Sequence, residues 1–251
     1  MALIDKLNAI GDAIRAKTGK TNKMTLDEMP TVIERIVGEW EFWIGVMFGG
    51  DVYGLKTPGH ITLPDGLTQI PENAYNSAVS KYHLVNIKIP EGVTIIKDSA
   101  FNGCTSLKEA TLPQSLEQID GDAFINCSKL ALTSLPSGLK NIGGSAFAYC
   151  SNVQADKLPN NIESVGSYAF YGAGSSGFPA TMPASLKHIG NYAFGSVKLY
   201  EISFWSKPDY ISPTAFAGCP TISIYVPWAE GEVANAPWGA TGARIYYNWR
   251  N

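Results

Sequence analysis

LPQSLEQIDGDAF, residues 112–124, is followed in the same register by LPSGLKNIGGSAF (135–147) and LPNNIESVGSYAF (158–170). Aligning outward on these three adds LPDGLTQIPENAY (63–75) and IPEGVTIIKDSAF (89–101) before them. MPASLKHIGNYAF (182–194) and the degenerate FWSKPDYISPTAF (204–216) come after. The closing aromatic falls at Tyr75, Phe101, Phe124, Phe147, Phe170, Phe194 and Phe216, in steps of 26, 23, 23, 23, 24 and 22 residues. Ile or Val stands five residues before each aromatic, and an aliphatic residue three before that in every unit except the last, where Pro208 takes the place. A unit this short cannot bury its own apolar face, so the units must stack into a solenoid. The segment before each Pro (IKIP, ATLP, TSLP) alternates like a short strand, and Pro ends it where ladder N–H groups would be needed. At a strand spacing of ~4.8 Å, seven turns give a spine of roughly 30 Å. The expectation is an α+β repeat solenoid with one parallel β-sheet along one face. Its outward residues would be Thr62, Lys88, Thr111, Ser134, Lys157 and Thr181, with His60, Asn86, Glu109, Leu132, Ala155 and Pro179 beside them.

The unit LPxSLxxIGxxAFxxCxxL resembles the BspA-type leucine-rich repeat over about residues 61 to 227. That resemblance implies a fold more than a function, because the repeat type serves on cell-surface adhesins and on phage structural proteins alike. The domain plan is an attachment or oligomerisation module at 1–38 and a linker with N-terminal cap at 39–60. The solenoid of about seven units fills 61–227, and a C-terminal cap 228–251. In the C-terminal piece, Trp228, Trp238, Ile245 and Tyr247 depart from the repeat and would cover the last open rung.

With 45% apolar and 16% charged residues the chain is too apolar to be disordered, and a net charge of -3 gives no pull toward polyanions. No nucleic-acid partner is expected. No apolar run approaches the ~20 residues of a membrane helix, so no membrane partner is expected either. Asp5 and Lys6 come where a secretory signal would carry its apolar stretch, which places synthesis and accumulation in the cytoplasm.

Cys104, Cys127, Cys150 and Cys219 each lie three residues past the aromatic of their unit, in a slot filled elsewhere by Ala78, Ala173 and Val197. Interchange with Ala and Val marks a small buried apolar position, hence packing thiols rather than metal ligands. His60, His83 and His188 are scattered. His188 sits in the variable slot before the repeat Ile, a solvent-facing column. No nucleophile elbow, zinc-protease motif or phosphate loop occurs. The chain is therefore read as not an enzyme, with no catalytic residue, no metal and no cofactor.

Aromatics gather in the later units. Tyr149, Tyr168, Tyr171 and Tyr192 flank the Ala-Phe pair in three successive units, and in-register stacking puts them on one edge. Tyr200, Trp205 and Tyr210 follow in the next unit. Large rings with polar tips suit sugar stacking or protein contact. Tyr149, Tyr168, Tyr171, Tyr192, Tyr200 and Trp205 are thus the candidate ligand-binding residues.

Ahead of the repeats, Leu3, Leu7, Ile10 and Ile14 step by 4, 3 and 4, giving a narrow helical seam, and Gly19 suits a C-cap. A second pattern carries Met29, Ile33 and Ile36, with Pro30 splitting it. Six Lys/Arg stand against five Asp/Glu in residues 1–38, too few for a duplex reader. Two short helices are marginal alone, so a partner or a second copy should finish their burial. The arrangement AIGDAIRAKTGKTNKMTLDEMPTVIERI (9–36) resembles a helical module of tailed-phage tail and other virion proteins. It implies an N-terminal helical hairpin that attaches to other virion proteins or to itself, with a homo-oligomer expected.

The functional expectation is therefore a phage virion structural protein. It would be a tail-fibre, baseplate or head-fibre component, displaying the solenoid to a host cell-surface glycan or protein and released by lysis to act outside the cell. Its weak contacts would be multiplied by copy number. A bacterial BspA-like surface adhesin is the alternative reading, and an intracellular protein-binding scaffold the second.

Overall fold

The computed structural model describes residues 60–63, 65–76, 84–153, 158–174, 181–219 and 222–249. The N-terminal seam residues Leu3, Leu7, Ile10, Ile14, Met29, Ile33 and Ile36, and the helical hairpin drawn from them, lie outside the described residues. Within them the chain is strands and turns only. In chain order the strands are β1 (His60–Thr62), β2 (Gln69–Ile70), β3 (Asn86–Lys88), β4 (Ile95–Ile96), β5 (Glu109–Thr111), β6 (Gln118–Ile119) and β7 (Asn141–Ile142). They continue with β8 (Ser164–Val165), β9 (Thr181–Met182), β10 (His188–Ile189), β11 (Glu201–Phe204), β12 (Tyr210–Ile211), β13 (Ser223–Tyr225) and β14 (Arg244–Tyr246).

All pairings are parallel and join one unit to the next, making a parallel β-solenoid of about seven turns. The expectation of one sheet in the segments before Pro is corrected on two counts. The continuous ladder is the other one: β2, β4, β6, β7, β8, β10 and β12 form an unbroken seven-stranded sheet through the repeat Ile column. The ladder before Pro is broken into β1-β3-β5 and β9-β11-β13-β14. The break has a visible cause in unit four. Unit three puts Ala110 inward and Glu109 and Thr111 outward, whereas Thr133 occupies the inward slot of ALTSLP and Leu132 the outward one. Leu132 turns in to 5% exposure, which corrects its assignment to the solvent face. Because side chains alternate with period two, a one-residue slip moves a strand out of register with its neighbour. Ala131 N–H still donates to the Lys108 carbonyl, but beyond it the rungs part, and Leu132 instead bridges to Val153.

The core is a set of columns, one residue per rung. Tyr75, Phe101, Phe124, Phe147, Phe170, Phe194 and Phe216 stack in order at centroid distances of 4.9, 4.8, 5.4, 5.4, 5.6 and 5.5 Å, with ring planes within 11° of parallel. Each pair adds about 0.5–1.5 kcal/mol to what ring burial supplies. The preceding Ala is buried in every unit, because there the backbone runs against the next rung: Phe124 N–H donates to the Ala146 carbonyl at 2.8 Å. Glycine after the repeat Ile serves the same closeness. A Cβ on Gly143 would lie 2.5 Å from the Asp120 carbonyl carbon.

The four cysteines are free and buried. Each thiol donates to the carbonyl of an aromatic lying one turn or more earlier: Cys104 to Tyr75 (3.5 Å), Cys127 to Phe101 (3.1 Å), Cys150 to Phe124 (2.9 Å) and Cys219 to Phe194 (3.1 Å). Burial pushes the Cys219 thiol up to about 11.

At the C-terminal end the stack is closed by Trp238. It meets Phe216 edge-on at 6.3 Å, packs on Phe204 at 5.9 Å, and donates its indole N–H to the Ala234 carbonyl. The reading that this segment leaves the repeat is corrected in its backbone. Phe216 N–H donates to the Trp238 carbonyl as Phe194 N–H does to Ala215, and β14 extends the ladder from β13.

Phe147→Ala opens a cavity in the middle of the stack and should lower unfolding free energy by about 3–5 kcal/mol in a denaturant titration. All four thiols should be silent to a thiol reagent in the folded chain and reactive only in denaturant. The raised Cys219 pKa favours the neutral thiol in the folded state. Its stabilisation is complete below the unfolded thiol pKa and is lost as pH rises from about 9 towards about 11. The alkaline fall in the melting midpoint should be shallower in Cys219→Ala.

Candidate functional site

The turn around the Ala-aromatic pair has two left-handed places, except that Thr214, two before Phe216, is not left-handed. Two residues before the aromatic, positive φ is found at Asn73, Ser99, Asp122, Ser145, Tyr168 and Tyr192; two after it, at Gly103, Asn126, Tyr149, Gly172, Ser196 and Gly218. Gly, Asn, Asp and Ser are what such a turn tolerates, since the left-handed conformation costs a residue with a bulky side chain roughly 1–2 kcal/mol. Tyr149, Tyr168 and Tyr192 hold it at φ values of 61°, 59° and 52°. The cross-rung ladder enforces the shape: Tyr168 N–H donates to Asn191, Tyr192 N–H to Thr214 and Tyr149 N–H to Tyr171 carbonyls.

In-register stacking then gathers the side chains. Tyr168 and Tyr192 lie face to face at 5.1 Å. Tyr171 meets Tyr149 edge-on at 5.6 Å, Tyr192 edge-on at 6.3 Å, and Tyr168 tilted at 5.5 Å. Glycine makes the room. Tyr149 Cδ1 lies 3.5 Å from where a Cβ on Gly172 would stand, and Tyr171 Cδ2 only 2.8 Å from one on Gly195. Tyr149 is 51% and Tyr168 42% exposed, with Tyr171 and Tyr192 half-buried. Their phenol O–H groups bond to no protein atom among the described residues. Four of the six candidate residues thus form one patch.

The other two do not join it. Tyr200 and Trp205 flank β11 on the broken ladder before Pro, 68% and 61% exposed, with no ring contact to the four. A further aromatic group, overlooked in the sequence, lies on that C-terminal sheet, where Tyr225 stacks on Tyr246 at 4.7 Å and meets Trp249 at 5.3 Å. Tyr210 stacks on His188 at 4.9 Å, in the exposed column before the repeat Ile.

A second feature missed in the sequence is the alternation Glu117, Lys140, Glu163, Lys187, Asp209 in one repeat slot, which was legible from their steps of 23, 23, 24 and 22. Lys140 pairs with Glu117 at 2.9 Å and Lys187 with Glu163 at 2.7 Å. The hydrogen bond from Lys187 holds the Glu163 carboxyl below its ordinary range and raises the lysine in turn. Solvent screens such pairs, so their use is to fix which rung sits beside which. Two open grooves lie among the described residues. One of about 330 Å³ lies where the ladder parts between Glu109–Leu112 and Ala131–Pro136, and one of about 400 Å³ between Lys207–Ile211 and Glu232–Asn235. Among the described residues, no three His, Cys, Asp or Glu side chains gather as a metal site would need.

The family model for the BspA type leucine-rich repeat region matches residues 68–178 and 179–230, more than half of the chain. The chain is a BspA-type leucine-rich repeat protein. Among solved structures, this BspA-type chain is similar to a leucine-rich repeat protein from Bacteroides ovatus, at 29% identity over 56% of this chain and 39% of that one, with a TM-score of 0.47. It therefore spans about two fifths of that relative. It is also similar to a leucine-rich repeat protein of T. pallidum (24% identity, 76% and 69% covered, TM-score 0.37). A third is a leucine-rich cell surface protein from Faecalibacterium prausnitzii (19%, 68% and 64%, TM-score 0.44). No curated protein matches the chain.

If the left-handed tyrosines were there to hold the fold, removing one would cost as much as a core ring. Tyr168→Asn instead relieves the backbone while losing one exposed stack, and should leave the unfolding free energy within about 1 kcal/mol of the parent. A loss of 3 kcal/mol or more would assign Tyr168 to packing.

Proposed function

We propose that this BspA-type chain is a non-catalytic binding module that contacts a surface ligand through the edge formed by Tyr149, Tyr168, Tyr171 and Tyr192. The single observation behind this is that three of these four sit in left-handed backbone, where other units keep Gly, Asn, Asp or Ser. Backbone held in an unfavourable region is a pointer to function, because sequence drift would otherwise relieve it. The seven-rung stack supplies rigidity, so a ligand pays little to order the edge.

The setting proposed for the module is a virion. A tail-fibre, baseplate or head-fibre component would display the solenoid to the host and attach through residues 1–38, either to other virion proteins or as a homo-oligomer. The support is the likeness of residues 9–36 to a helical module of tailed-phage virion proteins. A bacterial surface adhesin is the second reading; it is favoured by the family match, which needs only the repeats.

Two measurements test this. Labelled chain should bind intact cells of the bacterium in which the gene is found, and Tyr168→Ala with Tyr192→Ala should weaken that binding at least tenfold; unchanged binding counts against the edge. Immunogold labelling should decorate purified phage particles. Label confined to the bacterial envelope would replace the virion reading with the adhesin.

A further inference from the structure

The tyrosine edge differs from the rest of the solenoid in charge as well as in ring content. At the same corner, the earlier units carry Lys97, Asp98, Asp120 and Asp122. Taken to the same length, the three tyrosine units read GGSAFAYCSN (143–152), GSYAFYGAGS (166–175) and GNYAFGSVKL (190–199), with one charged residue between them, the exposed Lys198. The backbone donors at Tyr149, Tyr168, Tyr171, Gly172 and Tyr192 are all spent on other carbonyls. What remains for a ligand is therefore phenol, hydroxyl and amide, together with ring surface.

We propose that this edge takes a neutral, extended glycan lying along the solenoid axis. The inference rests on the reading of the edge as the binding surface and names the ligand class for it. A charged polymer would find a single cation beside the edge, Lys198, and no cluster of charge to match its own. A typical protein partner would bring charges at its rim and ask for some in return. A neutral sugar chain offers what the patch can use. Its C–H faces suit ring surface, and its hydroxyls both donate to and accept from phenol O–H groups that have no protein partner. The edge presents both kinds of surface: Tyr149 is turned 76° from Tyr171, while Tyr168 and Tyr192 cover one another and leave ring edges and hydroxyls outward. The repeat distance agrees. Rings of adjacent units stand 5.1, 5.6 and 6.3 Å apart, on the order of the length of one sugar residue in an extended chain. Three rungs then make a site for a few residues, each bound weakly.

The test is calorimetric titration of the full chain with chitohexaose, mannohexaose and laminarihexaose as neutral chains, and with heparin and polyphosphate as anionic ones. The expected result is binding of at least one neutral hexasaccharide, with affinity unchanged up to about 0.5 M NaCl. The disaccharide of the same sugar should bind at least tenfold more weakly. Tyr168→Ala with Tyr192→Ala should lose at least tenfold in affinity, and Tyr149→Ser, at the most exposed ring, should lose affinity with an unchanged melting midpoint. Three results overturn the inference. If no neutral chain binds, or if binding is confined to the anionic polymers and fades with salt, the ligand class is wrong. If the tyrosine variants lose binding only to a protein, the edge stands as the binding surface and the glycan falls. If a neutral chain binds parent and variants equally, the edge itself is not the site.

Discussion

From Phe101 to Phe216, the aromatic ring that closes each unit lies flat on the ring one turn earlier, and the rest of the solenoid is arranged around that contact. A turn of 23 residues has a ring and a few aliphatic side chains to bury, such as Leu107, Leu116, Ile119 and Phe124, and no apolar face broad enough to cover them. The neighbouring turn must supply the cover. Once the rings are in register, the flanking Ala, the thiol that donates to an earlier carbonyl and the glycine pressed against the next rung all follow, because each is the group small enough for its slot. The ends must then be closed, which is what Trp238 does for Phe216.

The same register creates the surface. A substitution on a solenoid corner is repeated in space whenever it is repeated at 23 residues, so a modest change in three units becomes a patch three rungs long. Tyr168 and Tyr192, which share a slot, exploit this, and Tyr149 and Tyr171 join them from other slots of the same corner. The turns that bear them are pinned by backbone hydrogen bonds, and Tyr149, Tyr168 and Tyr192 sit where their own conformational preference would not put them. The alternating acidic and basic column from Glu117 to Asp209 uses the same geometry for another end, favouring one rung order over a slipped one.

The core was legible in the sequence because it obeys a single rule. The residue five before each aromatic and the one three before that are all buried, and the tyrosines flanking the Ala-Phe pair in three successive units are found in one place. Apart from the periodic charge column from Glu117 to Asp209, what escaped the reading obeys no period. The ladder before Pro was expected whole because Leu132 and Thr133 were assigned by analogy with Glu109 and Ala110. The exchange of one apolar residue for its neighbour decides which way the strand faces, and a motif does not register it. The C-terminal turn was misread for the converse reason: its side chains have left the repeat while its backbone, from Phe216 to Trp238 and through β14, has kept it. Tyr200 and Trp205 were grouped with the other tyrosines by proximity in sequence, but they fall on a different face.

Hydroxyl-radical footprinting of the chain, free and bound to the cell surface it recognises, tests the central claim most directly, because it reads every exposed ring at once. The account predicts that oxidation of Tyr149, Tyr168, Tyr171 and Tyr192 falls on binding while that of Tyr200, Trp205 and Tyr246 stays as it was. Protection of Trp205 and Tyr246 with the four-tyrosine edge left open would contradict it.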